Sequence, residues 1–231
     1  MSFREGDFLL VDYSTYVKET NELIETTSEK EAKERGVYRE DEIYKPKLVI
    51  IGEGRYVKGF EEALKNSEPG VEKEIVLEPS KAYGDRDPNK IKIFGLRELV
   101  RNNIVPEVGK VVEIGGALGV VRSISGGRVV IDFNHPLAGK TLVFKYKIIK
   151  KIDDDVEKIK YLILRRIKKL DEEKINIKLF KEEARVEIDT PEEILFAEDL
   201  QIAKSIIAGE IFKYIQGVKH VVFHDHFFKK E

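Results

Sequence analysis

The chain of 231 residues has no cysteine, no tryptophan, one methionine and few glutamines. Without cysteine there is no disulfide framework, no thiolate nucleophile, no iron–sulfur cluster and no cysteine-ligated zinc. No window offers about eighteen uninterrupted apolar residues, so nothing reads as a bilayer span. The N-terminus carries Arg4, Glu5 and Asp7 beside a short apolar run, which is not the pattern of a signal peptide. A soluble, cytoplasmic protein is expected, with no membrane partner. An excess of positive charge is missing too. The 41 basic residues face 43 acidic ones, and neither the first 150 residues nor the rest is basic overall. The electrostatic footprint of a nucleic-acid binder is therefore absent. What remains is 42% hydrophobic and 36% charged residues, enough for a core under a well-solvated surface. Abundant Lys, Glu and Ile with little Gln or Met suggest a thermophile.

Residues 7–18 are rich in β-branched and aromatic residues and read as a strand. Thr27 to Arg35 is a charged helix closed by Gly36. A second strand is expected over 47–51. Val57, Phe60, Ala63 and Leu64 fall at helical spacing and predict a short helix over 58–66. Glu68-Pro69-Gly70 suits a type II turn before a strand at 71–78. From Asp85 to about His135 the texture changes. Short strands at 110–114, 117–124 and 128–133 alternate with glycine turns, after a short helix near 96–102. Residues 141–150 return to a strand that needs the first sheet as host. Beyond Asp153-Asp154-Asp155, which can cap a helix, an apolar line runs through Val156, Ile159, Leu162, Ile163, Ile167 and Leu170. Two strands are expected within 176–189. Thr190-Pro191-Glu192-Glu193 reads as a helix start with a capping box. The helix it opens would be lined by Ile194, Leu195, Leu200, Ala203, Ile206, Ile207, Ile211, Tyr214 and Ile215 and ended by Gly217. Residues 219–228 read as a last strand.

Several motifs fail. Gly52-Glu53-Gly54 opens no dinucleotide loop, because the third glycine is at 59 rather than 57. Asp85-Arg86-Asp87 is no calcium loop, with Lys90 at the sixth position and Leu96 at the twelfth. There is no P-loop, H-E-x-x-H or G-x-S-x-G. His220, His224 and His226 share one strand face, and imidazole suits nickel, copper or zinc. The plainer reading is a surface strand with its histidines outward and Val221, Phe223 and Phe227 inward. No cofactor or metal is expected.

One constellation succeeds. Tyr13 lies on the first strand, followed by Leu23-Ile24-Glu25-Thr26-Thr27. Then come Gly52 to Leu64, the Pro-Gly turn, Pro79-Ser80-Lys81-Ala82-Tyr83-Gly84 and Leu142-Val143-Phe144. This order resembles FKBP-type peptidyl-prolyl isomerases. Asn134-His135-Pro136-Leu137-Ala138-Gly139 resembles the N-H-x-L-A-G run of the SlyD-like branch, whose second domain is inserted in the flap after Ala-Tyr-Gly. The C-terminal part looks like the extra domain of long archaeal members. The resemblance implies an α+β fold: an antiparallel sheet with one short helix, a small β-rich insert and a C-terminal α+β domain. It implies an isomerase domain over 1–85 and 136–152, an insert-in-flap chaperone domain over 86–135, and a domain over 153–231 with a possible dimerisation or chaperone role.

Carried over by position, Tyr13, Glu25, Phe60, Tyr83 and Phe144 are the expected catalytic residues, and Ile24, Val57 and Leu137 the substrate-binding ones. Glu25 stands where the family usually has Asp. Phe60 replaces an aromatic that is often Trp, and Lys47 sits where an apolar wall is common. The resemblance implies acceleration of X-Pro rotation in folding polypeptides. Ile91, Ile93, Phe94, Val130 and Phe133 of the insert would either bind unfolded chain or fill its own small core. The alternatives are a non-catalytic holdase and a metal-delivery protein using the terminal histidines. The expected partners are unfolded or partly folded polypeptides containing X-Pro bonds, and a second copy through the C-terminal domain.

Overall fold

A computed structural model describes residues 2–167, 170–227 and 229. Its strands are β1 (Phe8–Val17), β2 (Glu22–Thr26), β3 (Lys47–Ile50), β4 (Glu72–Leu77), β5 (Ile91–Gly95), β6 (Val111–Ile114), β7 (Ala117–Ser125), β8 (Arg128–Asp132), β9 (Leu142–Ile152), β10 (Asn176–Phe180), β11 (Arg185–Thr190) and β12 (His220–Asp225). Its helices are α1 (Glu29–Glu34), α2 (Lys58–Lys65), α3 (Leu96–Arg101), α4 (Asp155–Arg166) and α5 (Leu200–Tyr214). The fold is the α+β class expected. Among the described residues no helix is long and apolar enough to cross a membrane.

Packing divides the chain into two compact units. One holds the residues up to Ile75 with those from Val143 onward, and the other is Val76–Leu142. The first unit is built on a five-stranded sheet in the order β2-β1-β9-β4, with β3 also paired to β1. Register explains why β1 is buried almost throughout. Side chains alternate across a strand, so Phe8 and Leu10 join one core while Tyr13 faces the ring of Phe60 on α2. Pro69-Gly70 makes the turn into β4, with Gly70 at φ +81°, a backbone that glycine adopts without a Cβ clash.

The other side of that sheet is covered by the chain's own last third. Phe8, Leu10, Leu48, Ile50 and Ile152 form one core with Ile159, Leu162 and Ile163 of α4, Val186 and Ile188 of β11, and Ile207 and Ile211 of α5. Asp154 caps α4, its side chain accepting from the Glu157 N–H at 2.8 Å. A three-stranded sheet, β10-β11-β12, backs these helices, with β11 antiparallel to β10 and parallel to β12.

The long helix starts later than the sequence suggests. Thr190 is the last residue of β11, paired with Asp225, and Pro191 is extended at ψ 139°. A residue before proline is pushed toward extended backbone, and here sheet pairing reinforces that preference. Glu192–Ile194 is a single 3₁₀ turn, and α5 begins only at Leu200. Ile206, on the apolar line read from the sequence, is exposed, as are Ile202 and Phe212. In the final strand Val221 and Phe223 pack on the core, but Phe227 is exposed. The expected strand's last residue, Phe228, lies outside the described residues.

In the second unit a four-stranded sheet, β5-β8-β7-β6, carries α3. Leu99, Val112, Val121, Val129 and Ile131 fill its core, with Phe94 and Phe133 packed against them. Ile91 and Ile93 face outward.

Candidate active site

The site begins in the loop before α2. Gly52 and Gly54 hold φ at +81° and +75°. Their N–H groups donate to the Glu61 carboxylate at 3.1 Å each, and the Tyr56 N–H donates to the same group at 3.4 Å. Glu61 sits in the first turn of α2, where a negative charge also suits the helix dipole. The loop is thus wound around a side chain of the helix it starts, and Val57 becomes the N-cap.

One turn later Phe60 is fully buried. Phe144 stacks on it at 4.5 Å between ring centres, only 20° from parallel. Tyr13 lies at 5.5 Å, Tyr146 edge-on at 5.4 Å and Tyr56 edge-on at 5.8 Å. Offset and edge-to-face pairs are the arrangements that ring quadrupoles favour. Ser67 and Tyr146 share a hydroxyl hydrogen bond of 2.9 Å behind them.

A polar edge borders the rings. The Tyr13 hydroxyl donates to Glu25 Oε1 at 2.7 Å, and Lys47 Nζ donates to the same oxygen at 2.6 Å. Lys47 also lies 3.7 Å from Glu42. Burial, aided by Tyr56 and Glu25, pushes the Tyr13 phenol far above its ordinary pKa. Burial alone would lower the Lys47 pKa, but Glu25 and Glu42 outweigh it and hold it up. Because the folded chain grips the Tyr13 proton more tightly than the unfolded chain, that stabilisation is complete below the unfolded pKa of about 10 and is lost as pH rises above it. A Tyr13→Phe variant should therefore lose thermal stability less steeply than the native protein above about pH 10. Melting followed by circular dichroism at fixed ionic strength checks this, and parallel slopes would contradict it.

Tyr13, Glu25, Phe60 and Phe144 thus meet in one cluster, with Val57 at the head of the helix. Ile24 is exposed on β2 beside Glu25. Tyr83 and Leu137 belong to the second unit. There Tyr83 stacks on His135, ring centres 4.1 Å apart and planes within 4°. The Leu137 N–H donates to His135 Nδ1 at 3.2 Å, and Leu137 itself is buried. Sequence reasoning missed Tyr56, Tyr146 and the His135 stack. Tyr146 was findable, since it lies two residues after Phe144 on the same face of β9. Tyr56 lies in a loop and carries no periodic signal.

The terminal histidines face carboxylates. His224 Nε2 is 3.6 Å from Glu187 and His226 Nε2 is 3.5 Å from Asp189. Among the described residues no group of three or more His, Asp or Glu side chains is placed to hold a metal ion.

An antiparallel sheet with one short helix packed on it through an aromatic cluster with a Tyr–carboxylate edge defines an FKBP-type domain. Residues 2–100 match the family described as FKBP-type peptidyl-prolyl cis-trans isomerase. Residues 92–137 match the FKBP26 IF domain and 155–228 the FKBP26 C-terminal family. The chain is 34% identical over 145 residues to the short-type peptidyl-prolyl cis-trans isomerase of Methanocaldococcus jannaschii, covering 63% of this chain and 91% of that protein. It is 34% identical over 118 residues to the FKBP-type 16 kDa peptidyl-prolyl cis-trans isomerase of Escherichia coli, covering 49% and 78%. With the FKBP-type isomerase SlyD of Helicobacter pylori it shares 31% identity over 112 residues, covering 45% and 58%. The chain belongs to the FKBP-type peptidyl-prolyl cis-trans isomerase family.

Proposed function

We propose that this chain accelerates rotation of X-Pro bonds in folding polypeptides at the Phe60 cluster, and that its insert holds unfolded chain nearby. The rotation is slow because amide resonance must be broken, at about 18–20 kcal/mol. No proton has to move and no covalent bond has to form. Water stabilises the planar, dipolar amide better than the twisted one, so a dry apolar surround favours the transition state over the ground state. The single observation that carries this reading is the buried Phe60 ring, walled by Phe144 and Tyr13 and bordered by one hydrogen-bonded polar edge.

In this reading Phe60 is the floor under the prolyl ring. Val57, Phe144 and Ile24 are walls, and the Val57 N–H holds the substrate carbonyl. Tyr13 and Glu25 form the polar edge. Phe60 has no exposed surface. One of its covering rings, Tyr56 or Phe144, must therefore turn aside to admit the substrate. The isomerase domain is 1–85 with 136–152, the insert 86–135 and the C-terminal domain 153–231. The exposed Ile202, Ile206 and Phe212 of α5 give the C-terminal domain an apolar surface for a second copy. A cytoplasmic, heat-adapted folding helper fits the composition.

A protease-coupled assay on a proline-containing tetrapeptide tests the reading. The native chain should raise the cis-to-trans rate well above the uncatalysed one, and Phe144→Ala should lower kcat/KM about tenfold, the worth of one apolar wall. A native rate equal to the uncatalysed one would leave the holdase.

A further inference from the structure

The loop that starts the floor helix is gripped from both sides. Glu61 holds it from within. From without, Glu53 Oε2 accepts from Arg165 Nη1 at 2.7 Å, and Glu53 Oε1 lies 3.0 Å from Arg55 Nε. Arg165 belongs to α4, in the C-terminal part. Its other terminal nitrogen is 3.0 Å from Glu210 Oε2 on α5. Glu210 Oε1 in turn accepts from Arg166 and, at 3.2 Å, from Arg55 Nη2. The charges close a ring: Glu53, Arg55, Glu210, Arg165 and back to Glu53. The side chains of Glu53, Arg165 and Glu210 are only 9%, 10% and 11% exposed. Buried opposite charges of this kind hold one geometry, because loss of one partner strands the others without water.

The loop the ring holds carries Tyr56 into the aromatic cluster. Tyr56 packs edge-on against both Tyr13 and Phe60. A stretch with two glycines in four residues has much backbone freedom to lose. Between Glu53, which the ring fixes, and Val57, which heads the floor helix, there are only three residues.

We propose that Arg165 and Glu210 are positioning residues for the isomerase site: the C-terminal domain braces the 52–57 loop and so sets Tyr56, Val57 and Phe60. This rests on the reading of the Phe60 cluster as the isomerase site. The brace touches no substrate and acts through the loop. It sharpens the geometry of the rotating bond more than the capture of the peptide, so its loss falls on kcat.

The test uses the full chain and the tetrapeptide assay. Glu210→Gln, a neutral near-isostere, should lower kcat about fivefold with KM nearly unchanged, in keeping with the sensitivity of rates to small misplacements. The Val57 amide should shift in ¹H–¹⁵N spectra. Arg165→Lys keeps the charge without the two-pronged fork and should fall between native and Glu210→Gln. Ile188→Val loosens the same C-terminal core without touching the ring. It should lower the melting temperature and leave kcat alone. Native kcat and an unmoved Val57 amide in Glu210→Gln would overturn the brace, as would an equal loss of kcat in Ile188→Val. A native chain without isomerase activity would instead overturn the underlying reading of the site.

Discussion

Phe60→Ala should lose about 100-fold in kcat/KM toward a proline-containing tetrapeptide, equivalent to about 2.7 kcal/mol of transition-state stabilisation. In the proposed reading the ring contributes in two ways: it would supply the flat apolar surface under the prolyl ring, and it packs against Phe144, Tyr13, Tyr146 and Tyr56. Truncation removes the surface and leaves a hole that water can fill, so the planar amide regains its solvation advantage. The same truncation costs about 3–5 kcal/mol of stability, as for other buried phenylalanines. Phe60→Leu separates the two effects. Leucine refills most of the hole without an aromatic face, so it should restore stability and most of the activity. Circular dichroism and the coupled assay on the three proteins provide the check. If Phe60→Ala folds and still works at the native rate, catalysis does not occur at this cluster.

The second large effect concerns the insert. Ile93, Val105 and Leu118 are 64%, 73% and 66% exposed in a unit whose core is already filled by other residues. Ile93 also lies on β5, an edge strand whose free backbone groups can pair with an extended segment. A triple change of these residues to serine should leave tetrapeptide turnover unchanged. It should reduce catalysis of a proline-limited refolding protein about 100-fold, because tethering raises the effective concentration of X-Pro bonds by that order. Suppression of client aggregation, followed by light scattering, should fall with it. Undiminished catalysis of protein refolding in the triple variant would assign these side chains no role in client capture.

Much of this architecture was legible in the residues. The β-branched and aromatic run of 7–18 gave β1, a strand buried on both faces, and the spacing of Val57, Phe60, Ala63 and Leu64 gave α2. That Tyr13 and Glu25 belong to one cluster followed from the family resemblance, carried over residue by residue. Other features stayed hidden because they depend on tertiary contacts. Thr190-Pro191-Glu192-Glu193 has every local mark of a helix start, yet Thr190 is claimed by its pairing with Asp225 across β11 and β12. Tyr56 joins the rings because Glu61 winds the loop, and no periodicity marks that. Ile206 lies outward on a helix with apolar residues around much of its circumference, where spacing alone could not choose the inner face.

The core shared by the first sheet and the last third of the chain bears on how the protein can be divided. Phe8, Leu10, Leu48 and Ile50 spend one flank of the sheet on α4 and α5. Cutting the chain after Ile152 would not unhook a pendant; it would strip the wall from an inhabited room. A freestanding enzyme made from the remaining part would first need these four positions rewritten for water.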